Sequence, residues 1–204
     1  MLNPAGPARG FTLIEMVVVV AILGILIGLG ASSYSAWIAN SRIRTAAETL
    51  ASGLSAARNE AIKRNRLVGF HLVSDLGAGC TLSSSGTSWV VSLNDPTVQC
   101  NIDISDTTAP FIVAKKSAAE QASEVTITAL NGGGAPADTV VFNGLGRVMV
   151  AGNNPIARID IDSSAIAAAD TRNLAIQLTP GGLIRMCDPN VPAANPPDTR
   201  ECIP

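Results

Sequence analysis

A single carboxylate standing at the edge of a long apolar run constrains this chain more than any other feature. Glu15 precedes the stretch Met16 to Leu29, and no further charge follows until Arg42. The uncharged interval 16–41 holds 26 residues. As a helix rising about 1.5 Å per residue it covers roughly 39 Å, more than the ~30 Å hydrocarbon core of a bilayer. A carboxylate carried into such a helix costs about 2.5–3.5 kcal/mol, so it calls for a partner. The preceding residues 1–10 offer only Arg9. Cleavage of the Gly10–Phe11 bond would supply one. It creates an α-amino group on Phe11, cationic at neutral pH and one helical turn from Glu15, in the same subunit or a neighbouring one.

The residues Gly10-Phe11-Thr12-Leu13-Ile14-Glu15, set directly before the apolar run, resemble the class III signal of type IV pilins and type II secretion pseudopilins. The resemblance implies cleavage after Gly10 by prepilin peptidase, N-methylation of Phe11 and a role for Glu15 in subunit assembly. It also implies partners: prepilin peptidase, other minor pilins or pseudopilins, and an inner-membrane assembly platform. Two plainer accounts compete. An ordinary secretory signal would use Arg9 as its basic region, Met16 to Leu29 as its apolar core and Gly28-Leu29-Gly30 as its cut site, giving a soluble secreted binding domain that starts near Ala31. An acid at the start of the apolar core is unfavourable there. A simple bitopic anchor explains the length but neither Gly10-Phe11 nor Glu15.

Beyond the apolar run the pattern remains helical but changes character. Tyr34 and Trp37 suit a membrane–water interface. Gly24 and Gly28 form a small-xxx-small step that permits close helix approach. Major pilins often carry a proline where Ser32 stands here. Ile43, Ala47, Leu50, Leu54, Ala57 and Ala61 are then spaced 4, 3, 4, 3, 4, one apolar stripe of an amphipathic helix. Arg42, Arg44, Glu48, Arg58, Glu60, Lys63 and Arg64 fall largely off that stripe and read as a solvated face, with Glu60 and Arg64 a favourable i,i+4 pair. The spacing predicts one helix from about Thr12 to about Asn65. Its end, Ala57-Arg58-Asn59-Glu60-Ala61-Ile62-Lys63-Arg64-Asn65, resembles the helix-end motif of the GspH/FimT family, the H-type minor pseudopilins and related minor pilins.

After Asn65 short alternating runs predict strands at Leu67–Val73, Trp89–Leu93, Phe111–Ala114, Glu124–Ala129, Thr139–Asn143, Arg147–Val150, Ile156–Asp162, Asn173–Thr179 and Gly182–Cys187. Asn143-Gly144-Leu145-Gly146 and Pro180-Gly181 read as hairpin turns, and Gly132-Gly133-Gly134 and Ala193–Asp198 as mobile loops. The expected fold is α+β and pilin-like, with a long N-terminal helix packed on antiparallel β-sheets. The expected organisation is a leader at 1–10, a transmembrane and assembly helix at 11–37, an amphipathic helix at 38–66 and a globular β domain at 67–204. Export past an anchor of this type places the domain in an oxidising compartment. The four cysteines pair by proximity as Cys80 with Cys100 and Cys187 with Cys202, although other connectivities remain open.

Composition narrows the functional classes. Residues 38–66 carry six bases against two acids, whereas from Leu67 onward seven bases face thirteen acids. An acidic head and an aromatic content of 3% argue against broad attraction to nucleic acid. Some pilin-type relatives take up DNA through a Gly-Arg-x-Arg motif. The corresponding stretch here, Gly182-Leu183-Ile184-Arg185, keeps only Arg185, which otherwise reads as an outward-facing hairpin residue. His71, the sole histidine, reads as packing or surface, because catalysis needs an orienting partner. Asp160-Ile161-Asp162 fits a solvated strand face better than half a calcium site. Gly77-Ala78-Gly79 lacks the lysine of a phosphate loop, and Ser83-Ser84-Ser85 reads as loop. No catalytic residue, cofactor or metal is expected. The sequence thus predicts a non-catalytic minor pilin or pseudopilin that initiates or caps a filament. It would be held single-pass in a bacterial inner membrane with its head in the periplasm before joining a pilus or pseudopilus. A DNA-binding minor pilin is the alternative within the family.

Overall fold

The computed structural model describes residues 11–117, 124–150, 154–192 and 198–202, and within the helix the side chains of 26–33 lie outside that description. The leader 1–10 and most of the loop expected at 193–198 fall outside it as well.

A single helix, α1, runs from Leu13 to Arg64, 52 residues without a break. Thr12 opens it in an extended conformation and its side chain accepts from the Glu15 N–H. Asn65 closes it in the left-handed conformation, its backbone N–H reaching the carbonyls of Ala61 and Ile62. Asparagine tolerates that conformation better than most residues. Lys63 and Arg64 lie in the last turn, where cations complement the helix dipole.

Eight strands follow: β1 Val68–Val73, β2 Ser88–Ser92, β3 Ile112–Lys116, β4 Val125–Asn131, β5 Thr139–Phe142, β6 Ile156–Ser163, β7 Leu174–Leu178 and β8 Ile184–Cys187. They form two four-stranded sheets, β3-β2-β1-β5 and β4-β6-β7-β8, in which every pairing is antiparallel. Both sheets pack on the second half of α1. The predicted stripe is the spine of the core: Ile43, Ala47, Leu50, Leu54, Ala57 and Ala61 are all fully buried. Phe70, Trp89, Val140 and Phe142 meet it from the first sheet, and Ile127, Ile159, Ile161 and Ile176 from the second. Gly53 lets the helix come close. A β-carbon there would lie 2.9 Å from the Phe70 ring and 3.0 Å from the Trp89 indole.

The first sheet is covered on both faces, as the unbroken burial of β1 and β2 records. A second, smaller core of Val73, Cys80, Val90, Cys100 and Ile112 sits on its outer side, with Leu76, Leu82 and Ile102 against it. The Cys80–Cys100 disulfide lies inside this cluster. A second disulfide joins Cys187 at the end of β8 to Cys202.

Two expectations need correction. Arg147–Val150 does not form a strand; only Val148 bridges, to Phe142. Its backbone bonds are divided. Met149 N–H donates to Val141, whereas Val148 N–H donates to Pro180, in the turn before β8. The segment joins the two sheets instead of extending either. The helix charges are also not simply a solvated face. Arg42 bonds Glu124, Arg58 donates to the Gly146 carbonyl at 3.1 Å, and Arg64 bonds both Glu60 and Asp106. These arginines tie α1 to its own head.

Candidate functional site: an uncovered helix with an acid in its first turn

The first three turns of α1 are exposed among the described residues. Phe11 is 77% exposed and Leu13 83%, and Ile14, Val17, Val20, Ile22 and Ile25 are all exposed. Nothing lies within 4 Å of a β-carbon built on Gly24. Among the described side chains of α1 the first buried ones are Ala39 and Ile43, where the head starts. Transfer of this much apolar side chain out of water is favourable at roughly 25 cal/mol per Å², so the segment requires a bilayer or other helices around it. Among the described residues no helix is long and apolar enough to cross a membrane; the run Met16 to Leu29 continues into the undescribed side chains of 26–33.

Glu15 occupies the first turn, where a negative charge meets the positive end of the helix dipole. The Thr12 hydroxyl accepts from the Glu15 N–H at 3.3 Å, and Met16 N–H reaches the Thr12 carbonyl. Thr12 and Glu15 therefore hold the Ser/Thr-x-x-Glu spacing of a capping box, a signal present in the sequence and overlooked when Glu15 is weighed only as a charge. The arrangement fixes the start of α1 directly after Phe11. It holds the acid one turn from the residue that cleavage would make N-terminal. Tyr34 and Trp37 lie further along the helix, ring centroids 6.2 Å apart and both largely exposed.

The remaining candidates are engaged in contacts within the head. His71 is buried in β1 with Nδ1 3.2 Å from the Thr139 hydroxyl, which itself donates to Asp138. That hydroxyl has one hydrogen, spent on Asp138, so Nδ1 donates to it. The hydroxyl stands between acid and imidazole, the reverse of a nucleophile-activating order. Burial pulls the imidazole down to about 4 against the opposing pull of Asp95 and Asp138, leaving it neutral. Asp160 pairs with Arg158 across 2.7 Å, and Asp162 accepts from the Ser163 N–H. No group of acids, histidines or cysteines suited to a metal occurs among the described residues. Arg185 does not point free from the hairpin: its Nη2 donates to the carbonyls of Thr199 and Glu201. Leu183 beside it is exposed. Gly182 holds φ +82° in that turn with the Gly146 carbonyl against it, so no other residue fits.

Comparison with known proteins gives two family matches: residues 46–182 fit the family described as type II transport protein GspH, and residues 7–31 fit the prokaryotic N-terminal methylation motif. Among curated proteins, a pilin-like protein of Thermus thermophilus, PilA1, is 41% identical over 71 residues. That stretch is 35% of this chain and 44% of the relative, so less than half of the relative's length is matched. Among solved structures, the type IV minor pilin FimU of Pseudomonas aeruginosa aligns in two crystal forms. Identities are 15% and 14% and the TM-score is 0.44 in both, over 70% and 72% of this chain and 90% and 88% of that one. With about two thirds of its residues inside one family match and its methylation motif placed at the head of α1, the chain belongs to the GspH family of minor pilins and pseudopilins.

Proposed function

We propose that this protein is a non-catalytic filament subunit, a minor pilin or pseudopilin that initiates or caps assembly of a type IV pilus or type II secretion pseudopilus. The observation that carries the reading is the exposed apolar start of α1, from Leu13 to Ile25, on the same unbroken helix as the core of the head and bearing Glu15 in its first turn. Prepilin peptidase cuts between Gly10 and Phe11, and the new amine is methylated. The chain waits in the inner membrane with its head in the periplasm, then passes to the filament through the assembly platform. There the apolar surfaces of neighbouring helices replace lipid. Glu15 meets the Phe11 amine of an adjacent subunit and sets the axial register, because an isolated carboxylate among apolar helices is costly until paired.

Mass spectrometry of the N-terminal peptide from membrane-extracted protein tests this. The expected result is an N-methylated Phe11 at the start of the chain; a start near Ala31 would remove the reading. Deletion of the gene then separates the two machines. Loss of twitching with intact protein secretion assigns the chain to a pilus, and the converse to a secretion pseudopilus. The Cys187–Cys202 closure, a feature met among pilin-like relatives, favours the pilus.

A further inference from the structure

A groove of about 450 Å³ opens at the rim of the head, between Asn40 and Arg44 of α1, the Arg172 turn, the end of β8 and Thr199-Arg200. It is lined by three arginines, Arg44, Arg172 and Arg200, and one acid, Asp188, with Leu174 and Met186 as apolar lining. Arg44 is paired with Glu48 at 2.9 Å and Arg200 with Asp198 at 2.8 Å. Arg172 has no acid within ion-pair distance among the described residues. Its position is nevertheless fixed. Asn40 on α1 accepts from the Arg172 N–H at 2.7 Å and donates to the Asp170 carbonyl at 3.0 Å, pinning this loop to the helix. The neighbouring Thr171 closes the turn onto Ala168.

The height of the groove identifies what meets it. Tyr34 and Trp37 are the exposed aromatics below the head, and such side chains settle at headgroup level. Asn40 lies about 4.5 Å and Arg44 roughly 10 Å further along α1. The polar zone of one leaflet is about 5–8 Å deep. A bilayer that holds the first half of α1 therefore brings its phosphates to the level of Asn40, the membrane-side edge of the groove. We propose that this groove binds the phosphodiester headgroup of an anionic phospholipid, its phosphate against Arg172 and Arg44 and its glycerol end over Leu174 and Met186. The inference rests on the membrane-held state of the subunit proposed above. It adds a lipid contact that must be surrendered when the subunit leaves the bilayer.

The test uses the full chain in nanodiscs of phosphatidylcholine and phosphatidylglycerol at a ratio of four to one. Lipid that stays bound after gentle detergent release is counted by native mass spectrometry. The expected result is a bound phosphatidylglycerol-to-phosphatidylcholine ratio about fivefold above the bulk ratio, the order expected for one basic contact at an anionic surface. Enrichment falls to the bulk ratio in Arg172→Gln and also in Arg44→Gln, two exposed sites whose loss leaves the core intact. Enrichment that survives both substitutions overturns the proposal. So does its abolition by millimolar inorganic phosphate in wild type, which assigns the groove to free phosphate. Flotation with pure phosphatidylcholine vesicles runs in parallel. A chain that fails to float refutes the membrane-held state, whereas a chain that floats without lipid selectivity refutes the groove alone.

Discussion

Arg185 and Glu201 are joined across the C-terminal loop: the guanidinium of the first donates to the backbone carbonyl of the second, with Thr199 accepting alongside at 3.4 Å. The loop is thus held twice, covalently through Cys187–Cys202 and by this charge-assisted contact. Replacing Arg185 with Gln removes bonds of a kind worth about 1.5 kcal/mol. The expected outcome is faster proteolytic nicking after residue 187 with little change in the melting of the two sheets, measured by limited proteolysis beside thermal unfolding. Because the guanidinium is already engaged, the same variant should leave any DNA retention by the head unchanged in a gel-shift assay.

Leu54 lies fully buried where α1 meets both sheets. Truncation to Ala deletes methyl groups from a fully buried site in the main core. We expect a loss of about 2–5 kcal/mol in urea unfolding of the head. A loss below about 1 kcal/mol would mean that the helix is a guest on the sheets and not their spine.

His71 makes stability depend on pH in one direction. The unfolded chain protonates near the ordinary 6.5, the folded imidazole only near 4. Between those values the unfolded state binds the extra proton, so the contribution is whole above 6.5, declines as pH falls toward 4 and is flat below. The full difference is of the order of 3 kcal/mol. Unfolding midpoints of wild type should drop across this window, and His71→Gln should flatten that slope. An unchanged slope in the variant would place the pH dependence on carboxylates.

Glu15→Val removes the one acid of the bare segment. Membrane insertion should be intact or improved, since a penalty of about 2.5–3.5 kcal/mol disappears. Incorporation into filaments should fall, as scored by shear fractions of a complemented deletion strain. Normal incorporation would show that the carboxylate sets no register.

Local chemistry was readable in advance where the relevant partners are near in sequence or repeat with a period. The stripe from Ile43 to Ala61 has a helical spacing, and it is the spine of the core. Asn143 and Gly146, and Thr179 and Gly182, close their turns by bonds across three residues. What escaped was set by distant pairings. Val148 answers to Pro180, so its alternation with its neighbours misleads. Arg42 and Arg58 find their partners 82 and 88 residues away, and no spacing on the helix announces that. His71 reads as surface or packing until the outer cluster around Cys80 and Cys100 is seen to cover that side of the sheet. At the proposed site, Glu15 stands out in the sequence because apolar context makes a charge conspicuous. The lower groove was not, since Asn40, Arg172 and Arg200 meet only after the chain has folded back twice.

The unbroken course of α1 from Leu13 to Arg64 has a mechanical meaning. The rod that grips its surroundings is the same beam on which both sheets are hung, with no joint between the two tasks. A pull applied near Leu13 would be carried along this one helix to Leu50 and Leu54, where the core lies. Under load, such a molecule either moves as one piece or comes apart at its keystone.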